Sequence, residues 1–277
     1  MNRNALLEFA AVFLATLLAS ILYVGPSDYD DTYIYMRYVQ NWLHGHGMVY
    51  NIGERSHGVT SLLWTFILAP LTAFLGNTVQ VWKACGAVFF ALGAGFIWLS
   101  LERAASQRAR LLCVLPCILA PFTLRWSSTG MENGLTALSL GLFTFISEHA
   151  SRGAQPRSDG RWVVTLGALA GALPFVRPEL ALASATVIML TPMWAGRGRA
   201  FWRVLVSSSS VGVLLALMSL ASFGSLLPQT AAAKFSTLAQ HSPFYGFRQA
   251  ALLLCSGSGV AVCYIALHPV AVRRHRL

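Results

Sequence analysis

The chain has 277 residues, of which 56% are apolar and only 11% charged, and its mean hydropathy is +0.59. A soluble domain carries roughly a quarter of its residues as charges, so composition excludes that class and indicates an all-α polytopic membrane protein. The apolar runs are long and continuous rather than alternating in segments of about ten, which excludes a transmembrane β-barrel. The net charge of +10 is accounted for by basic loops on the cytoplasmic side, not by nucleic acid.

Residues 5–24 form a first span, and Arg3 ahead of it sets the N-terminus inside. No small-x-small cleavage site follows, so the span is read as an uncleaved anchor. Then comes the one long polar and aromatic segment of the first hundred residues, an outer loop over 25–79 that opens with Asp28, Asp30 and Asp31. Within it, Asp31–Leu43 has helical spacing, with Tyr35, Tyr38 and Trp42 on one face and Arg37, Gln40 and Asn41 near the other. That aromatic density predicts a juxtamembrane helix lying in the headgroup plane. Gly45, Gly47 and Asn51-Ile52-Gly53 are turn residues.

Residues 60–76 are apolar but short and carry Pro70, and 80–101 form a clear span. The loop with Arg103, Arg108 and Arg110 falls inside only if 60–76 does not cross, so that segment is read as re-entrant or interfacial. Further spans are predicted at about 111–125, 133–149, 162–176, 179–195, 204–222 and 250–267. The loops that then face the cytoplasm carry Arg152, Arg157 and Arg161, then Arg197, Arg199 and Arg203, then Arg273, Arg274 and Arg276. The result is about eight transmembrane helices in a single membrane-embedded module covering 1–277. All five cysteines (Cys85, Cys113, Cys117, Cys255, Cys263) lie in apolar runs with no CxxC, and read as small core residues.

On this topology the outer face gathers Asp28, Asp30, Asp31, Glu54, Glu132 and Glu179, with Arg37, Arg55, Arg177, Lys234 and Arg248. Ionisable residues at a membrane face are functional candidates. Nucleotide-activated donors stay in the cytoplasm, so outward-facing group transfer needs a lipid-linked phosphate donor, for which Arg177 and Lys234 are the cationic partners. His44 and His46 sit in a glycine-rich turn too loose for a zinc site, and no protein metal site is expected. A magnesium or calcium ion could be shared by Asp30, Asp31 and a donor phosphate.

Asp30-Asp31 after the first span, then GHGMVYN and GERSHGVTSLLW, resemble the start of the membrane-embedded type C glycosyltransferases. The likeness is to the bacterial arabinofuranosyltransferase and lipopolysaccharide-sugar-transferase-like branch. Ser128-Thr129-Gly130-Met131-Glu132, Arg177-Pro178-Glu179 and Phe223-Gly224-Ser225-Leu226-Leu227-Pro228-Gln229-Thr230 followed by Lys234 fit it in order, covering residues 1 to about 250.

The resemblance implies an inverting transfer from a polyprenyl-phosphate sugar to a periplasmic glycan or lipid acceptor, in the bacterial inner membrane. It makes Asp30 or Asp31 the general base. Arg177, Lys234, Glu132 and Glu179 are the donor-side candidates, and Arg37, His57 and Glu54 the acceptor-loop candidates. Members of that family usually continue into further spans and a soluble C-terminal domain, which this chain, ending at Leu277, is expected to lack.

Each residue also has a structural alternative. Asp28 or Asp30 can cap the loop helix, for about 1 kcal/mol. Glu132 can sit at a helix N-terminus for its dipole. Arg177 and Glu179 can simply pair, and Lys234 can snorkel to the interface. Two other functions compete: a transporter or flippase for a lipid-linked or anionic solute, and an inactive truncated fragment. A transporter would place charges near mid-bilayer or show two related halves with broken helices; here most charges sit at the predicted helix ends.

Overall fold

The computed structural model describes residues 3–23, 29–102, 105–153, 160–195 and 198–229. Among them the regular structure is helical, with no strand. The order is α1 (Arg3–Leu22), α2 (Asp30–Leu43), α3 (Leu62–Leu75), α4 (Val79–Ser100), α5 (Gln107–Leu119), α6 (Pro121–Ser127), α7 (Asn133–Gly153) and α8 (Arg161–Val176). A 3₁₀ turn (Pro178–Leu180), α9 (Ala181–Ala195) and α10 (Arg199–Phe223) follow.

By length and composition α1, α4 and α10 can cross a membrane, and α5 with α6 makes a fourth if taken together. The single span expected at 111–125 is instead broken, with a 68° bend between its halves. Pro121 explains the break: it has no N–H to give to a continuing helix, and it suits the first position of a new one. Helices stand at every other predicted segment as far as 222. However, α3, α8 and α9 have only 14, 16 and 15 residues, or about 21–24 Å of rise against a hydrocarbon core of about 30 Å. Length therefore does not set α3 apart from α8 and α9, and among the described residues three or four of the expected eight spans meet both length and composition. The predicted span at 250–267 lies outside the described residues.

Glycines bring the long helices together. On α4, Gly86 and Gly93 face Gly134 and Gly141 of α7, one heptad apart on each helix. A Cβ at Gly134 would overlap Gly86 O, and one at Gly141 would overlap Gly93 O. The same device joins α8 to α10, where Gly171 lies against Ser208 and Gly212. Small residues let helix backbones approach where water supplies no driving force. The α4–α7 contact fixes the start of α7, and with it Glu132, against the first turns of α4.

The aromatic face of α2 is not turned to lipid headgroups. Tyr35, Tyr38 and Val39 are buried in a core with Trp64, Trp82, Leu68 and Phe223. Asn41, expected near the polar face, is also buried, its Nδ2 donating to Val49 O at 2.8 Å and to Tyr50 O at 2.9 Å. The residues after α2 fold back over it, so the face that suited a membrane surface is covered by protein.

Arg110, expected as an exposed loop charge, is buried. Its Nη1 donates to Glu8 Oε2 of α1 at 2.9 Å, Trp98 Nε1 donates to the same oxygen at 3.0 Å, and the guanidinium lies 4.5 Å from the Trp98 ring centroid. Glu8 was not singled out in the sequence, because one acid inside an apolar run shows no partner until the helices pack. Cys85 is a free thiol.

Candidate active site

Three of the segments singled out by sequence meet in one network beside α2. Tyr35 is its hub. The phenol donates to Glu132 Oε2 at 3.0 Å and accepts from the Ser61 backbone N–H at 2.9 Å. Burial, reinforced by the Glu132 carboxylate, pushes this phenol well above its ordinary pKa of 10.0, so it remains a neutral donor. Ser61 in turn caps α3, accepting from Trp64 N at 3.1 Å.

The Ser128–Glu132 turn fits between α2 and α3. Thr32 Oγ1 donates to Thr129 O at 2.7 Å, and Trp64 Nε1 donates to Gly130 O at 3.1 Å. Gly130 has φ +83°, and a Cβ there would come within 2.8 Å of Thr32 Cγ2. Only glycine meets both demands. Glu132 is thereby set deep in the protein, 1% exposed, just ahead of α7. Its second oxygen lies 3.6 Å from Arg177 Nε. Arg177 also donates to Asn133 Oδ1 at 2.9 Å and meets Glu179 Oε1 at 3.4 Å. A buried carboxylate persists only when paired and hydrogen-bonded, and Tyr35 with Arg177 meets that need.

Two further segments close the lower wall. Tyr38 OH donates to Ser56 O at 2.8 Å and accepts from Gly58 N at 2.9 Å. The His57 ring stacks on Phe223, 4.2 Å between centroids and 9° from parallel, with Nδ1 3.1 Å from Ser225 Oγ. Burial lowers the His57 pKa below 6.5, partly opposed by the hydrogen bond to Ser225. Gln229 N donates to His57 O at 2.9 Å, and Arg55 Nη2 donates to Ala221 O at 3.3 Å. GERSHG is thus docked on the end of α10 and the FGSLLPQ turn.

Asp30 and Asp31 open α2 and are both exposed. The capping position is Tyr29, with no side-chain cap, so Asp30 does not cap this helix. The two carboxylates diverge by about 100°. Asp31 lies one turn from Tyr35 and shares its face toward Glu132; Asp30 shares the opposite stripe with Arg37. Arg37 bonds to neither aspartate here: its Nε donates to Tyr50 O at 3.3 Å. Glu54 is exposed in a local turn, accepting from Asn51 Nδ2 at 2.9 Å, and stands apart from the Glu132 network. Asp28, Lys234 and Arg248 lie outside the described residues. No group of three His, Cys, Asp or Glu side chains suited to a metal occurs among the described residues. Asp30 and Asp31 are exposed and diverge by about 100° along α2, and we derive no step through a metal.

Sequence reasoning missed Tyr35 as the hub, Asn133 as a ligand of Arg177, and Arg125, whose Nε donates to Tyr29 OH at 2.6 Å beside the start of α2. The signal available for Tyr35 was its i+4 spacing from Asp31.

No family model matches the chain, and no solved structure matches it. Among curated proteins it is 30% identical over 223 residues to the terminal beta-(1->2)-arabinofuranosyltransferase of Mycobacterium tuberculosis, covering 74% of this chain and 34% of that one. The chain is arabinofuranosyltransferase-like. The protein of the same name from Corynebacterium glutamicum is 29% identical over 227 residues, covering 74% of this chain and 32% of that one. The chain therefore spans about a third of the length of the curated relatives it matches. These two matches bear out the arabinofuranosyltransferase resemblance read from the motifs.

Proposed function

We propose that the chain is the catalytic, membrane-embedded part of a glycosyltransferase. It takes a sugar, in the first instance arabinofuranose, from a polyprenyl-phosphate donor and passes it to a cell-envelope glycan or lipid acceptor on the outer side of a bacterial inner membrane. The observation that carries this reading is that three separate motif segments, through Ser61, Glu132 and Arg177, meet at one network on α2, in a chain similar to two arabinofuranosyltransferases.

Asp31 is the general base, because it shares the face of α2 that leads to Glu132 and Arg177. As the acceptor oxygen bonds to the anomeric carbon from the face opposite the phosphate, its proton passes to the Asp31 carboxylate. The bond from the anomeric carbon to the phosphate oxygen breaks, and its electron pair leaves with the lipid phosphate. Inversion follows from that in-line geometry. The charge growing on the departing phosphate needs a fixed cation. Arg177 supplies it: its side chain is 28% exposed, and the exposed Glu179, 3.4 Å from its Nη2, can yield to a phosphate oxygen. Arg125, beside the start of α2, and Lys234 are further candidates for the same charge. Glu132 holds Arg177 and is a positioning residue.

The test uses the purified chain in liposomes containing polyprenyl-phosphoryl arabinofuranose, with an arabinofuranosyl acceptor. Asp31→Asn should lower transfer by about 10²–10⁴-fold with donor binding retained, and Asp30→Asn should lower it far less. Near-parental transfer by both variants overturns the base assignment. Movement of intact lipid-sugar across the bilayer without cleavage overturns the enzyme reading.

A further inference from the structure

Beside α2, on the side away from Glu132, is an open cleft of about 450 Å³. Its walls come from three segments: α2 itself, the turn at Tyr50, and the α3–α4 connection at Asn77. We infer that this cleft is the acceptor-binding subsite, shaped for a neutral glycan whose reactive end lies at the start of α2; the assignment rests on the glycosyltransferase reading above.

The chemistry of the lining supports a glycan. Tyr33 and Tyr50 are 47% and 43% exposed and offer ring faces to the C–H faces of a sugar. Gln40 and Asn77 carry amides, which donate and accept as sugar hydroxyls require. His44 Nδ1 sits 2.7 Å from Gln40 O, which makes Nε2 the ring nitrogen that meets a ligand. Met36 and Leu43 supply apolar floor. Arg37 is the one fixed cation in the lining and no carboxylate is present there, so a phosphate dianion would be only half balanced. The volume falls in the ordinary range for small-molecule sites, about 300–1,000 Å³.

The walls are preorganised. Arg37 Nε is tied to Tyr50 O at 3.3 Å, and Asn41 fixes the same carbonyl at 2.9 Å. Asn77 is held on both sides, donating to Met36 O at 3.0 Å and accepting from Trp82 Nε1 at 2.8 Å. Little side-chain ordering is left to oppose binding. Register then joins the cleft to the reaction. Asp30, Tyr33, Arg37, Gln40 and His44 follow one exposed stripe of α2, and Asp30 stands two turns, about 10 Å, above Arg37. A short oligosaccharide along that stripe brings its end to the aspartates. There the acceptor hydroxyl meets Asp31, the next residue round the helix toward Glu132, which takes its proton, while Asp30 flanks the incoming glycan.

The experiment titrates an arabinofuranosyl trisaccharide into the purified full chain in detergent, reading tryptophan fluorescence, with inorganic phosphate as competitor. It compares the parent with Tyr33→Ala and Gln40→Ala, two exposed positions, and thermal melting checks that each variant folds. Tyr33→Ala should weaken binding about tenfold, and in the transfer assay should raise the acceptor KM by the same factor while the donor KM stays parental. Parental binding and acceptor KM in both variants, with transfer intact, overturn this inference and leave the glycosyltransferase reading standing. Displacement of the trisaccharide by phosphate also overturns it, as does failure of the parent to bind the trisaccharide. Cleft-dependent binding with no transfer from any polyprenyl-phosphate sugar supports the cleft and removes the enzyme reading instead.

Discussion

The protein builds the same three-part device twice, at opposite ends of α4. Near Trp98, a glutamate (Glu8) takes a hydrogen bond from an aromatic donor and pairs with Arg110. Near Trp82, about 24 Å along the same helix, Glu132 takes a hydrogen bond from Tyr35 and pairs with Arg177. The first is closed over its cation: the pair is 2.9 Å apart, the Arg110 side chain is 8% exposed against 32% for Glu8, and the Trp98 ring covers the guanidinium. The second is open: the pair is 3.6 Å apart and the Arg177 side chain is 28% exposed, with Glu179 reaching it from solvent. In the first device the cation is the covered partner, with Glu8 and the Trp98 ring over its outer nitrogens, and it clamps α1 to α4 and α5. In the second the acid is the buried partner and the cation reaches solvent, as the proposed phosphate role needs. The difference lies in geometry, since the residue types are almost the same.

The largest expected effect comes from breaking the closed pair. Glu8→Ala strands a buried guanidinium and should cost about 3–5 kcal/mol, read by thermal or chemical denaturation in detergent. The double variant Glu8→Met with Arg110→Met should recover most of that loss, since replacing a buried pair with apolar groups is often near neutral. A double variant as unstable as Glu8→Ala would show that the clamp is not an ion pair in substance.

Tyr35→Phe comes next. It removes one hydroxyl and leaves two buried groups, Ser61 N–H and Glu132 Oε2, short of a partner, so stability should fall by about 1–3 kcal/mol. Transfer should fall as well, because Glu132 then no longer fixes Arg177. Full activity in a destabilised Tyr35→Phe protein would separate the hub from the chemistry.

Double-mutant cycles sharpen the contrast directly. The coupling between Glu8 and Arg110 should lie toward about 3 kcal/mol, and that between Glu132 and Arg177 below about 1 kcal/mol. Arg177→Gln should nonetheless lower transfer much more than it lowers stability. Equal couplings would remove the distinction between the two devices.

The smallest expected effect is a pH dependence at the lower wall of the site. Burial holds His57 below 6.5 in the folded protein, so the unfolded chain takes up the proton first as pH falls. The contribution of a neutral His57 is therefore complete above pH 6.5 and is lost as pH drops below it toward the folded value. Parental protein should lose more stability between pH 7.5 and 5.5 than His57→Gln does. Identical pH profiles would show that His57 does not carry this dependence.

Much of this molecule was legible before any helix was packed. Composition alone set the membrane class, because so few charges cannot solvate a soluble surface of this size. Apolar run length located the helices, and the turn glycines and prolines located their ends, since φ preference and missing N–H groups act locally. The motif order pointed to the arabinofuranosyltransferase resemblance that the curated relatives share. The burial of α2, however, depended on what folds over it: the same aromatic spacing suits a lipid headgroup layer or a protein core, and only the docking of residues 48–61 and α10 decided for the core. Glu8 and Arg110 are over a hundred residues apart, as are His57 and Ser225, so no local pattern could pair them. Whether an ion pair closes or stays open depends on how the helices that carry its two residues pack, not on the residue types of the pair.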